Sequence, residues 1–228
     1  MPDRPALSGR VLQRHIRRAG VLRAVQPRAL ATRDALLEAG RRLLNERDFE
    51  ALSIAELAAA NRLSVGSFYG RFRDKAAYYA LLQELVIEEW RAIARRRFDA
   101  ARLRGLGGAE IVARLARHIV SIFRRDRGFI RGALKHASTH PGAWTPLKRA
   151  GAAFAGVAAE RLAPRLTRLR RAARAARVRF AMQVLYGTLV NAVLNDPGPL
   201  PLDDRRLEAE LTRVLQAYLG LARREGKA

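Results

Sequence analysis

Residues 53–72 read SIAELAAANRLSVGSFYGRF and decide the fold, because they encode two short helices separated by a tight turn. Ser53 is a favourable N-cap for a helix that begins at the next residue, and Glu56, three positions later, completes a capping box. Ser64 repeats the N-cap signal at the start of a second helix. The stretch therefore predicts a helix-turn-helix.

The second helix predicts the partner. The apolar periodicity of the first helix stops at Asn61, a residue that tolerates the left-handed conformation of a sharp turn. Phe68 and Phe72 then occupy the inward positions of the second helix. Its outward positions carry small, hydroxyl and cationic side chains that suit close approach to phosphates and base edges. The motif thus indicates double-stranded DNA as the partner.

The pattern resembles the TetR family of bacterial transcriptional regulators, and the likeness covers residues 30–90. Upstream of the motif, Thr32 opens an amphipathic helix that ends near Phe49, much as the first helix of the family does. Downstream, Tyr69 stands where the family has its recognition-helix tyrosine, and Lys75 stands where its long fourth helix begins. Members of the family are DNA-binding regulators, most often repressors.

The resemblance implies an all-α fold in which an N-terminal three-helix helix-turn-helix DNA-binding domain is joined by a long helix to a C-terminal helical dimerisation and ligand-binding domain. The residues agree, because no period-two run of β-branched side chains is long enough to predict a strand. We divide the chain into a basic N-terminal arm (1–29), a DNA-binding domain (30–90, motif 53–72) and a C-terminal regulatory and dimerisation domain (91–228). We expect helices at 75–102, 109–125, 127–138, 143–170, 171–195 and 203–224.

Eight residues are the predicted DNA-binding residues. The hydroxyl and ammonium groups suited to phosphate contacts belong to Ser53, Ser64, Tyr69 and Lys75. The residues expected to face base edges are Val65, Gly66, Ser67 and Arg71. In this chain Asn61-Arg62 replaces the Ala-Gly that is commoner in the family's turn.

The charge of the chain favours DNA binding without being confined to the motif. The net charge is +23, and residues 1–76 hold 15 Lys or Arg against 8 Asp or Glu. The larger part of the excess therefore lies beyond the motif. With 4 Lys among 44 basic residues, the preference for Arg is also typical of a GC-rich genome. For the arm, two interpretations stay open: a flexible extension that binds phosphates or the minor groove, or a disordered leader.

Two amphipathic helices near the C-terminus predict a homodimer. The helices at 171–195 and 203–224 each carry an apolar stripe, and the resemblance implies that two such helices per subunit form a four-helix bundle across a twofold axis. The alternative is that both stripes only seal the monomer core.

The resemblance also implies a small-molecule effector that releases the protein from DNA. Aromatic and Met side chains on the helices of the C-terminal domain suit an apolar ligand, although packing in an ordinary core is the alternative for each of them. The candidate pocket residues are Phe123, Phe129, Trp144, Phe154, Met182 and Tyr186.

Other functional classes find little support in the sequence. His136 and His140 share a helical spacing, but Pro141 follows them and no carboxylate is near, so we expect neither a metal site nor any cofactor. No nucleophile or phosphate-loop motif indicates an enzyme. No apolar run reaches the length of a membrane span, and we expect a cytoplasmic protein. The main alternative is a nonspecific or architectural DNA-binding protein without an effector; an α-helical enzyme is the more distant one.

Overall fold

The computed structural model describes residues 27–44, 46, 49, 51–140 and 142–221. These residues form an all-α fold without a β-strand, as the sequence predicts. Nine α-helices follow one another in the described part of the chain: α1 (Pro27–Leu43), α2 (Ile54–Ala59), α3 (Val65–Tyr69), α4 (Lys75–Arg97), α5 (Gly108–Arg125), α6 (Arg127–Thr139), α7 (Thr145–Leu162), α8 (Arg171–Leu194) and α9 (Arg205–Tyr218). Within that part, no helix is both long and apolar enough to cross a bilayer.

The chain divides into two compact units. Of the described residues, the reading unit holds those up to Ala92 together with those in Gly128–Leu147. The body unit holds Ile93–Arg127 and the described residues from Lys148 onward. Helix α6 thus belongs, apart from its first residue, to the same compact unit as the helix-turn-helix.

A buried ion pair joins α1 to α4 in the reading unit. The guanidinium of Arg41 donates to the carboxylate of Glu89, and both side chains are buried. Because both charges are buried, removing one of them would leave the other in the core without this partner. The pair therefore fixes where α4 lies along α1.

In the body unit, α5 packs along α9. Helix α5 turns Ile111, Leu115 and Ile119 inward, and all three are buried. At the start of α5, the side-chain amide of Gln216 donates to the carbonyl of Ala109 at 2.8 Å. The hydrogen bond ties the start of α5 to α9.

An aromatic cluster with a buried histidine lies elsewhere in the body unit. The rings of Phe98, His118 and Phe154 lie 5.3–5.5 Å apart, and Arg97 Nη1 is 3.3 Å from His118 Nδ1. Burial, followed by the charges of Arg97 and Arg125, lowers the pKa of His118 to about 4. The imidazole is therefore neutral at physiological pH.

Several helix boundaries differ from the predicted ones. Helix α1 spans Pro27–Leu43 in the described part of the chain, so residues 27–29 of the predicted arm belong to α1. Residues 1–26 lie outside the described residues. Helix α4 ends at Arg97, and the Asp99 carboxylate then accepts from the amide of Ala101, where a short 3₁₀ turn begins.

The predicted helix 143–170 is also shorter. Helix α7 ends at Leu162, and a 3₁₀ turn that contains Pro164 follows it. Proline lacks the amide hydrogen that would continue the α-helix, and its ring disfavours helical geometry at the residue before it. Helix α9 spans Arg205–Tyr218, inside the predicted 203–224.

Candidate nucleic-acid interface

The helix-turn-helix forms with both predicted caps. The Ser53 hydroxyl accepts from the amide of Glu56 at 3.1 Å, and the Glu56 carboxylate accepts from the amide of Ser53 at 2.8 Å. This is the reciprocal capping box. At α3, the Ser64 hydroxyl accepts from the amide of Ser67 at 3.2 Å. Local side-chain chemistry therefore sets where both helices begin.

The turn between α2 and α3 is built on Arg62, not on Asn61. Arg62 has a φ of +55°, whereas Asn61 donates its side-chain amide to the carbonyl of Leu57 at 3.1 Å. The amides of Arg62 and Leu63 donate back to the carbonyls of Ala59 and Ala58 at 2.9 and 3.0 Å. These are the two bonds of a Schellman motif, in which the left-handed residue is usually glycine. The predicted left-handed role of Asn61 is therefore wrong by one residue.

Helix α3 has a sealed face and an open face. Phe68 and Phe72 are fully buried. In the same helix Val65 is 43% and Tyr69 is 49% exposed. Gly66 is also exposed, so the backbone of the first turn is open to close approach. The open face thus combines small, apolar and hydroxyl groups.

Tyr78 of α4 holds the sealed face in place. Its ring lies 5.4 Å from that of Phe68 and 5.0 Å from that of Phe72. Its hydroxyl donates to the carbonyl of Leu36 in α1 at 2.8 Å. Burial raises the pKa of Tyr78 above its ordinary value, so the phenol stays protonated and continues to donate. One side chain thus links α1, α3 and α4.

The two cationic residues among the predicted contact residues, Arg71 and Lys75, have partners inside the protein. Arg71 Nη1 donates to the carbonyl of Ser67 at 3.0 Å, near the end of α3. The Nε atom of Arg71 is buried and has no hydrogen-bond partner among the described residues. The ammonium of Lys75 lies 4.4 Å from the centre of the Phe49 ring, in a cation–π contact.

The residues between α3 and α4 add a charged rim. Arg73 is exposed, and its Nε donates to the Asp74 carboxylate at 2.8 Å. Asp74 also accepts from the amide of Ala77 at 2.7 Å and so caps α4. That backbone bond, followed by the contact with Arg73, lowers the pKa of Asp74, which stays charged at neutral pH.

A cluster centred on Phe49, which contacts α6, was not predicted from the sequence. The Phe49 ring stacks on Tyr79 at 4.1 Å and meets His136 edge-on at 5.4 Å. A Cβ added to Gly132 would lie 3.7 Å from the backbone nitrogen of Phe49, so α6 passes close to the chain there. Gly132 and His136 of α6 lie 83 and 87 positions after Phe49 in the sequence, and only the burial-prone character of Phe49 could have signalled the contact.

The six candidate pocket residues fall in both units. Phe129 and Trp144 belong to the reading unit, while Phe123, Phe154, Met182 and Tyr186 belong to the body unit. Met182 lines an apolar void of about 10 Å³ between helices of the body unit. Burial raises the pKa of Tyr186, whose hydroxyl donates to the carbonyl of Gly151 at 3.5 Å.

A groove between α5 and α9 and a pair of stacked histidines are two further features of the described residues. A groove of about 400 Å³ between α5 and α9 is lined by Arg117, Arg124 and Glu208 among others, and contains none of the six candidate residues. The rings of His136 and His140 stack at 4.1 Å. Within the described ranges, no group of three His, Cys, Asp or Glu side chains is placed to hold a metal ion.

Comparisons with known proteins point in one direction. Residues 36–82 match the family model "Bacterial regulatory proteins, tetR family", and residues 109–219 match "Tetracyclin repressor-like, C-terminal domain". A comparison with curated proteins gave no match.

Two solved structures share the fold. GusR from Salmonella enterica is 19% identical, with 86% of this chain and 98% of that chain covered at a TM-score of 0.56. A transcriptional regulator of the TerR/AcrR family from Aquifex aeolicus is 14% identical, with 83% and 98% covered at 0.52. Because two models of one family together match most of the chain, and the capped helix-turn-helix lies within the first of them, the chain belongs to the TetR family and is a DNA-binding transcriptional regulator.

Proposed function

We propose that the protein is a ligand-responsive repressor that binds a palindromic operator as a homodimer. The observation that carries the DNA contact is the exposure of Val65 and Tyr69 on a helix that is anchored by the fully buried Phe68. An exposed valine suits contact with a thymine methyl group, and a tyrosine hydroxyl suits a phosphate. Helix α3 has five residues, so only its first turn and its C-terminal end can contact the bases in a groove.

The roles divide by position on the motif. Ser53 and Ser64 lie at the starts of α2 and α3, where helix N-termini favour phosphate oxygens. Gly66 and Ser67 allow the first turn of α3 to approach base edges. Lys75 offers its ammonium to a phosphate. Each of these residues either makes a polar contact or allows close approach, so many weak interactions together fix how the motif docks on DNA.

Arg71 has two ways to contribute. If it reads a guanine, its guanidinium must release the Ser67 carbonyl, and Arg71→Ala then relaxes base preference at a cost of about 1–3 kcal/mol. If it only supports α3, Arg71→Ala weakens operator and random DNA alike. The neighbouring Arg73→Ala is the matched control, because its exposed side chain carries the same charge.

Helices α8 and α9 are the proposed dimer surface. Phe180, Leu194 and Val214 are 49%, 42% and 53% exposed, although they are apolar. The Phe180 ring lies 5.6 Å from that of Tyr218, so the two helices share one apolar face. A second copy of the chain is the partner that a twofold apolar face fits. Val214→Arg should yield monomers in sedimentation at micromolar concentration, and an unchanged dimer would argue against this surface.

The effector is proposed to be apolar and to contact the body unit. Phe154 and Tyr186 are both partly exposed there, and the rings of Phe98 and His118 lie beside Phe154. Hydrophobic drugs should raise the melting temperature and release DNA together. A rise in melting temperature that leaves DNA binding unchanged would contradict a ligand-responsive role.

The DNA experiment selects duplexes from a random library and then maps the protected bases. We expect two half-sites about one helical turn apart, each protected by one α3. Tyr69→Phe should weaken binding to all sequences, since it removes only a phosphate contact, whereas Val65→Ser should alter base preference. Uniform coating of DNA with no selected site would refute the proposal and favour an architectural role.

A further inference from the structure

The start of α8 carries an unusual concentration of positive charge. Eight arginines and no acidic residue lie between Glu160 and Asp196. A genomic preference for Arg over Lys explains which cation is used, but it does not explain the absence of carboxylates over this length. The concentration of arginine in this segment therefore reflects a structural or a functional role.

Four of the eight arginines have structural roles. Arg161 donates to the carbonyl of Phe98 at 3.1 Å, and Arg165 donates to the carbonyls of Leu106, Arg161 and Leu103. Two further side chains act near α8 itself. Arg174 donates to the carbonyls of Leu169 and Thr167, and Arg177 lies over the Tyr218 ring at 4.8 Å.

The other four form what we term the arginine surface: Arg168, Arg170, Arg171 and Arg179. All four are exposed, and none has a carboxylate partner in the part of the chain that the structure describes. The bonds from Arg174 hold the turn at 167–169 against the first turn of α8, which brings Arg168 and Arg170 close to Arg171, while Arg179 lies further along the same helix. Arg171 and Arg179 are about 12 Å apart along the helix axis, or roughly three to four base-pair steps.

This placement opposes helix stability. Arg170 is the N-cap of α8 and gives no side-chain cap, and no acid lies in the first turn. Elsewhere the chain follows the opposite rule, since Asp204 caps α9 and Asp74 caps α4. Cations at the positive end of a helix dipole are unfavourable unless an anion compensates them.

We propose that the arginine surface is a second DNA-contacting surface, which binds duplex phosphates without reading sequence. DNA is the polyanion that this regulator binds, and guanidinium groups form strong, bidentate hydrogen bonds with phosphate. The surface lies in the body unit, whereas α3 lies in the reading unit. It adds affinity for any sequence, while α3 supplies selection.

The test compares two quadruple variants on a random-sequence duplex. One is Arg168→Gln/Arg170→Gln/Arg171→Gln/Arg179→Gln. The matched control removes the same charge from exposed arginines elsewhere in the body unit: Arg102→Gln/Arg104→Gln/Arg149→Gln/Arg205→Gln. Anisotropy gives the binding constant of each between 50 and 200 mM KCl.

Each phosphate contact adds about 0.9 to the salt slope, so loss of four should lower the slope by about 3 to 4. Over this salt range the wild-type protein should lose affinity about 100-fold more than the surface variant does. The control should keep the wild-type slope to within about one.

Equal slopes for the two variants would overturn the proposal, because the charge would then act only in bulk. Weaker binding to phosphatidylglycerol vesicles with unchanged binding to DNA would also overturn it. Thermal unfolding checks the fold of the surface variant, which should melt no lower than wild type because a cation leaves the helix N-terminus. Protection of the selected operator half-sites should survive in this variant, so failure of the proposal is separable from failure of the α3 assignment.

Discussion

Gly40 offers a sharp test of how the reading unit is held together. A Cβ placed on Gly40 would lie 1.6 Å from the hydroxyl oxygen of Tyr78 and 2.8 Å from Cζ. The phenol has little freedom to retreat, because its hydroxyl donates to the carbonyl of Leu36 at 2.8 Å and its ring packs on Phe68 and Phe72. Gly40→Ala should therefore push α1 away from α4.

The magnitude follows from two opposing terms. Replacing glycine by alanine within a helix contributes about 1 kcal/mol of stability. Overpacking of a tight core costs typically about 1–3 kcal/mol and more when the neighbour is fixed. At 1.6 Å we expect the steric term to win, with a net loss of about 2 kcal/mol in the free energy of unfolding. Gly132→Ala is the control, since its Cβ would meet Phe49 at an ordinary 3.7 Å and only the favourable term remains.

Tryptophan fluorescence can follow this in urea, because Trp90 and Trp144 both lie in the reading unit. Gly40→Ala should lower the urea midpoint, and Gly132→Ala should leave it unchanged or raise it. The double variant Gly40→Ala/Tyr78→Phe should lose less stability than the two single changes added together, since the phenol oxygen is gone. A Gly40→Ala protein as stable as Gly132→Ala would refute the reasoning.

Three further outcomes can be checked. The wild-type protein should lose up to about 3 kcal/mol of stability as the pH falls from 6.5 towards 4, because only the unfolded state then protonates His118; His118→Gln should flatten this pH dependence in urea titrations, and an unchanged slope would contradict the buried neutral imidazole. Arg62→Gly should raise the melting temperature slightly, since glycine accepts a φ of +55° without strain; a clear drop would contradict the Schellman turn. Ser64→Ala should reduce the free energy of DNA binding more than the free energy of unfolding, because it removes the cap of α3 alone. A DNA affinity equal to that of the wild-type protein would show that the cap is dispensable.

Local chemistry made part of this molecule predictable from its sequence. The caps at Ser53 and Ser64 depend on residues three positions apart, so the sequence contains everything they need, and both are confirmed. The prediction for Asn61 was wrong for a related reason. Asparagine does tolerate the left-handed region, but the side chain of Asn61 can also donate to the carbonyl of Leu57. A choice between two local hydrogen-bonding options is set by the register of the turn.

Non-local contacts were beyond the sequence argument. The contact of Phe49 with His136 and the hydrogen bond from Tyr78 to Leu36 join residues 42 or more positions apart. Periodicity identifies which side chains face a core, but it does not identify which helix completes that core. The same gap explains why Lys75 was assigned only to a phosphate, although it lies over a ring.

The chain crosses between its two units three times, after Ala92, Arg127 and Leu147. The stretch between the last two crossings brings α6 beside Phe49, and Gln83 of α4 donates to the carbonyl of Ala143 at 3.3 Å within the same unit. A conformational change in the body unit can therefore be passed along the polypeptide to the reading unit through α6 as well as through α4.

If effector binding acts through α6, the contact of Phe49 with His136 should carry part of the signal. Close packing transmits a shift of α6 to Phe49 and so to the loop that precedes α2. We expect His136→Ala to retain effector and DNA binding separately but to reduce the factor by which effector weakens DNA affinity, a factor that typically spans 5- to 150-fold. Titrating DNA with and without effector measures it directly. An unchanged factor would assign the coupling to α4 alone, since the first of the three crossings would then suffice.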